Sequence, residues 1–126
     1  MPLVRIDLQH GKDAGYRRKL GDVVYEALVA TANVPQDDRF QIIAEHDPEN
    51  FLFDRHYLGI DRSDEFVVIQ ITFNTGRTLD QKKALYKAIA EGLHEALGLR
   101  LEDAFINLVE VPKENWSFGN GIAQYA

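Results

Sequence analysis

A chain of 126 residues with 45% hydrophobic content can bury the core of one domain, and a charged fraction of 27% belongs to a folded protein rather than a disordered one. A formal net charge of -6 disfavours nucleic-acid backbones and anionic membranes, and the lack of cysteine excludes disulfides, thiol catalysis and thiolate metal sites. No apolar stretch approaches the roughly eighteen residues of a membrane span, and no basic segment followed by an apolar one opens the chain, so a soluble cytoplasmic protein is expected.

The first residues, MPLVRIDL, run from Met1 straight into a strand in which Val4, Ile6 and Leu8 alternate with polar neighbours. Gly11 marks a turn, and a helix is expected from residue 14 to 32, with Leu20, Val24, Ala27 and Leu28 at helical spacing and Asn33 and Pro35 as its stop. A second strand starts near Arg39. VVIQITF reads as the third, and Thr78 with Gln81 then has the spacing of a capping box. Leu85, Ile89, Leu93 and Leu97 define the second helix, closed by Gly98, and FINLVEV is the last main strand.

These elements form two copies of one strand-helix-strand unit. Sliding the chain on itself by 65 residues gives eleven identities, among them Gly11/Gly76, Leu20/Leu85, Asp38/Asp103, Glu45/Glu110 and Phe53/Phe118. That is about three times the number expected from ordinary composition. The expected architecture is α/β (α+β): one domain over residues 1–126 with pseudo-repeats 2–61 and 67–126, a tandem βαβ repeat making a four-stranded mixed sheet. Right-handed crossovers place both helices on one face of the sheet and leave the other bare. Along FINLVEV, Phe105, Val109 and Val111 lie on one side and Ile106 and Leu108 on the other, so both faces need cover and a homo-oligomer is expected. The final NWSFGNGIAQYA is available as a strand or C-terminal hairpin reaching a neighbour.

The repeat also sorts candidate residues. Pro2 aligns with Val67, an internal residue without a free amine, so only the first copy can present a terminal nitrogen beside its strand; taken alone, Pro2 reads rather as a simple strand start. Arg77 aligns with Lys12. By spacing it is a solvated loop cation, yet adjacent parallel strands would bring their ends together there, where an arginine can grip a carboxylate with two hydrogen bonds. Asp38 shares its place with Asp103, which favours a turn or capping role for both. The four histidines show no metal-binding spacing, and Gly119 and Gly121 form no phosphate loop. Trp116, Phe118 and Tyr125 are core or interface residues by default.

The Met-Pro start, the two βαβ copies, VPQDDRFQII after the first helix and ENWSFGNGIAQY near the end together resemble the tautomerase superfamily, in the branch containing malonate semialdehyde decarboxylase. The resemblance covers essentially the whole chain. It implies a homotrimer without cofactor or metal, acting on a small oxo acid that bears a carboxylate. Pro2, freed by removal of Met1, would be the general base or acid, with Asp38 and Arg77 as its catalytic partners and Trp116, Phe118 and Tyr125 as an aromatic wall. Decarboxylating members have two arginines spaced one residue apart; Arg77 matches the second, and the first falls on Asn74 or Thr75. Three functions follow as expectations: keto-enol tautomerisation of a 2-oxo acid, decarboxylation of malonate semialdehyde or a similar 3-oxo acid, or a non-catalytic binding trimer. A neutral proline amine serves the first and a charged one the second.

Overall fold

The computed structural model describes residues 1–126. Strand β1 (Leu3–Gln9) is followed by helix α1 (Ala14–Thr31) and β2 (Phe40–His46), and the second copy supplies β3 (Val67–Asn74), α2 (Leu79–Leu97) and β4 (Ala104–Val111). The tandem βαβ expectation holds. The four strands form one mixed sheet in the order β2-β1-β3-β4: each copy pairs its own strands in parallel, while β1 and β3 run antiparallel at the centre with Ile6 opposite Ile69.

Both helices pack on one face. The strands' alternation sends Val4, Ile6 and Leu8 of β1 and Val67, Ile69, Ile71 and Phe73 of β3 to that side, where they meet Leu20, Val24 and Leu28 of α1 and Leu85, Ile89 and Leu93 of α2 in a single core. The helices approach closely because residue 92 is glycine: a Cβ there would sit 2.8 Å from Val23 Cγ1. Local chemistry ends each helix as its residues dictate. Thr78 and Gln81 form the capping box, Asp13 accepts from the Tyr16 N–H, and Gly98 takes the left-handed cap conformation at φ 68°. No helix is long and apolar enough to cross a membrane.

The two copies also share fine structure. Gly11 (φ 130°) and Gly76 (φ 132°) turn alike, and their N–H groups donate to Glu45 and Glu110 at 3.4 and 3.3 Å. The same two carboxylates pair with Arg17 at 3.1 Å and Lys82 at 2.5 Å. The opposite sheet face is uncovered in a single chain: Phe40, Ile42, Phe105 and Val109 are each more than a third exposed.

One expectation is corrected. Residues 112–126 contain no strand, so there is no C-terminal hairpin. Positive φ at Gly119, Asn120 and Gly121 bends the chain away from an extended path, and Gln124 takes the place of a ladder partner, accepting from the Phe118 N–H at 2.9 Å and donating to the Gly119 carbonyl at 2.8 Å.

Candidate active site

The central antiparallel pairing decides which segments meet. Because β1 opposes β3, the beginning of β1 lies beside the end of β3, and the parallel outer pairs add the beginning of β2 and the end of β4. Pro2, Asp38, Asn74, Arg77 and Trp116 all flank that one end. The neighbourhood expected for Arg77 therefore arises from antiparallel strands, not from the adjacent parallel ones anticipated.

Pro2 is buried. The Met1 amine preceding it is in contact with the Asp38 carboxylate, which is 17% exposed. Burial, and secondarily the positive field of Arg77, lowers that amine from 8.0 to about 6. Asp38 pulls towards the ammonium, so the nitrogen sits between opposing influences, with desolvation the largest. An amine so placed can take or give a proton near neutral pH.

Arg77 is not a free loop cation. Its Nε donates to the Ala32 carbonyl and a terminal nitrogen to the Asn74 carbonyl, each at 3.0 Å, while the guanidinium lies 4.7 Å from the centre of the Phe73 ring. Burial lowers its pKa, but a guanidinium stays charged at physiological pH. Beside it, Asn33, Thr75, Gly76, Arg77 and Gln81 line a polar cavity of about 270 Å³. Thr75 is exposed at this cavity, whereas Asn74 is only 4% exposed and lies under Trp116, whose indole Nε1 donates to Asn74 Oδ1 at 2.7 Å. The rings of Trp116 and Phe118 stack at 5.3 Å, and Tyr125 meets Phe118 edge-on at 5.0 Å. The aromatic residues thus form one wall, with Phe118 and Tyr125 partly open to solvent.

The other end of the sheet carries the twins of these residues in a closed form. Phe66, at the position matching Met1, is 3% exposed and stacks on Phe53 at 4.3 Å, with Phe51 and Phe105 at 5.8 Å. Asp103 is fully buried and accepts from the Ser63 N–H at 2.7 Å and the Ser63 hydroxyl at 2.6 Å. Lys12 pairs with Glu65 at 2.6 Å. The shared role expected for Asp38 and Asp103 does not hold in their contacts. The 65-residue offset already set Phe66 against Met1. That alignment was the available signal for a plug at one end and room at the other.

Comparison with known proteins agrees with the fold. Residues 38–119 match a family model described as "Tautomerase enzyme", and residues 2–60 match a second model of the same description. The chain is 43% identical over 124 residues to the protein called Probable tautomerase YusQ of Bacillus subtilis (strain 168), with 98% of each covered. Among solved structures it is similar to the FG41 malonate semialdehyde decarboxylase inhibited by 3-bromopropiolate, at TM-score 0.91 and 39% identity over 98% of this chain and 93% of that one. A second malonate semialdehyde decarboxylase, whose structures are described as a basis for decarboxylase and hydratase activities, matches at TM-score 0.91 and 30% identity, covering 98% and 95%. The chain belongs to the tautomerase superfamily.

Proposed function

We propose that this protein is a keto-enol tautomerase of 2-oxo acids, active as a soluble cytoplasmic homotrimer, with Pro2 as the N-terminal base once Met1 is removed. The observation that carries the reading is the partly buried terminal nitrogen between Asp38 and Arg77, lowered to about 6 while still carried by Met1. Removal of Met1 moves the amine inward to buried Pro2 and vacates the space that the Met1 side chain fills against the core. A prolyl amine starts from a higher intrinsic pKa, and the same burial and the same arginine lower it towards the range where it accepts a carbon-bound proton.

In this mechanism Arg77 orients the substrate carboxylate, its other donors already tied to Ala32 and Asn74 so that little rotamer freedom remains to be lost. The neutral amine removes a proton from the carbon beside the carbonyl, and the resulting ammonium, steadied by Asp38, returns it to oxygen or carbon. Trp116, Phe118 and Tyr125 exclude water from the developing enolate. The trimer is supported by the uncovered apolar residues of the sheet face, which pack if subunits bury those faces together.

Decarboxylation of malonate semialdehyde is the second reading, favoured by the two similar decarboxylase structures and by the contact of the amine with Asp38, which stabilises its charged form. With Asn74 and Thr75 where a second arginine would stand, Arg77 alone supplies the cation. The test is direct: untagged protein, shown by intact mass to lack Met1, and a Pro2→Ala variant are incubated with the enol of phenylpyruvate and with malonate semialdehyde, and products are followed by NMR. Ketonisation that depends on Pro2 and exceeds decarboxylation is expected. Equal rates for the two proteins would reject the proline base, and the reverse substrate order would select the decarboxylase.

A further inference from the structure

We propose that Trp116 is a positioning residue: its indole N–H locks the side-chain amide of Asn74 so that the amide NH2 faces the site and donates to the carbonyl or enolate oxygen of the substrate. This rests on the reading of the site as a place for proton transfer beside a carbonyl.

An indole nitrogen can only donate, so the 2.7 Å contact with Asn74 must be made by the amide oxygen. The orientation of the amide follows from that chemistry and leaves its nitrogen on the side away from Trp116. That nitrogen donates to no protein atom. Asn74 is nonetheless 4% exposed, and the chain leaves no fully buried side-chain nitrogen or oxygen unsatisfied, so the NH2 group reaches an opening rather than a dry cavity.

The register says which opening. Leu3 pairs with Thr72 as the last rung of the antiparallel ladder, so Met1 and Pro2 leave the sheet at the same end as Phe73 and Asn74. The free NH2 therefore lies at the end of the sheet where removal of Met1 would open space next to the Pro2 nitrogen. The backbone of the same residue is anchored too, because its carbonyl accepts from Arg77. One residue thus carries the main-chain support of the carboxylate-binding cation and the side-chain donor for the oxygen.

A neutral donor is suited to that oxygen. Fixed N–H groups stabilise charge as it develops, whereas a second cation so near the amine would depress the proton affinity of the base further. A single cation with a neutral donor fits a monocarboxylate whose carbonyl oxygen lies beside its carboxylate.

The test is a double-mutant cycle. Trp116→Phe keeps an aromatic wall while deleting the N–H together with part of the ring; Asn74→Leu deletes the amide at similar size. With the enol of phenylpyruvate as probe, Asn74→Leu is expected to lower kcat about a hundredfold with little change in KM, the loss of one transition-state donor. Trp116→Phe is expected to lower kcat about tenfold, shift the Asn74 side-chain NH2 resonances in NMR, and add nothing further to Asn74→Leu. Multiplying losses, or a Trp116→Phe variant with unchanged kcat and unchanged Asn74 resonances, overturns the proposal. Pro2→Ala separates it from the functional reading: full activity in that variant ends the proline base, while the cycle still reports on Trp116 and Asn74. Should no probe turn over, phenylpyruvate is titrated instead; it must shift the Asn74 NH2 resonances in the wild type and not in Trp116→Phe, and an unmoved wild-type resonance overturns the lock.

Discussion

The two ends of the sheet are built from the same parts and finished differently. At one, Phe66 fills the place before β3, stacks on Phe53, and leaves Asp103 to hold the Ser63 N–H and hydroxyl. At the other, Met1 stands before β1, Asp38 faces an amine, and Trp116 and Phe118 stack on each other. The scaffold under both is shared: matching glycine turns held by Glu45 and Glu110, matching ion pairs to Arg17 and Lys82. On the proposed function, stability and chemistry occupy equivalent positions in this duplicated fold. What separates the two ends is that Phe66 is continued by Glu65, whereas Met1 presents an amine to Asp38.

The strongest way to break this comparison is to exchange the state of the two ends. Pro2→Ala, or retention of Met1, is expected to lower kcat/KM for the enol of phenylpyruvate by about 10²- to 10⁴-fold, the usual contribution of a positioned base, with the fold intact by circular dichroism. At the closed end Phe66→Ala is expected to destabilise by about 3–5 kcal/mol, read from urea denaturation, because it empties a site that is 3% exposed. Comparable stability losses for Pro2→Ala and Phe66→Ala would mean that both ends are structural.

The aspartates sharpen the same contrast. Asp103→Ala removes the acceptor for two donors of half-buried Ser63 and is expected to destabilise by about 1–3 kcal/mol in all. Asp38→Asn is expected to change stability little and to act through pH instead. Losing the carboxylate removes a stabiliser of the ammonium, so the amine's pKa falls and the acid limb of kcat/KM moves to lower pH. Arg77→Gln does the opposite, since Arg77 lowers the amine, and its acid limb moves to higher pH while KM rises. Rate profiles between pH 5 and 9 (about one unit beyond the affected range) check both signs.

The smallest expected effect concerns a chain that keeps Met1. Its amine has a pKa of about 6 when folded against 8.0 when free, so between those values the unfolded state binds more protons and stability rises with pH. The stability is full above pH 8 and declines as pH falls towards 6. Urea midpoints at those two pH values should differ in that direction, modestly, because the amine is only partly buried and Asp38 opposes the shift.

Much of the scaffold was legible in the residues. Thr78 and Gln81 announce a helix start because their side chains satisfy backbone N–H groups within one turn, and Gly98 announces an end because the left-handed cap asks for a residue without Cβ. Arg77, Asp38, Trp116, Phe118 and Tyr125 were named by the resemblance, and the structure gathers them at one end. The C-terminal hairpin expected in NWSFGNGIAQYA does not form, because positive φ at Gly119, Asn120 and Gly121 breaks the extended path. The fates of Asp38 and Asp103 were hidden for a different reason: identical residues at identical repeat positions differ chiefly in distant partners, Ser63 for Asp103 and the terminal amine for Asp38, with Arg100 at 3.7 Å a local addition for Asp103.

By itself the sequence determined the elements, their caps, the duplication and the superfamily, because each depends on contacts within a few residues or on patterns repeated along the chain. Only the tertiary structure decided that β1 runs antiparallel to β3, so that the terminus lies at the same end as Asn74 and Arg77, and that an indole N–H donates to the Asn74 amide. Those outcomes depend on strand pairing between copies and on hydrogen bonds across 42 or more residues, which no local spacing encodes.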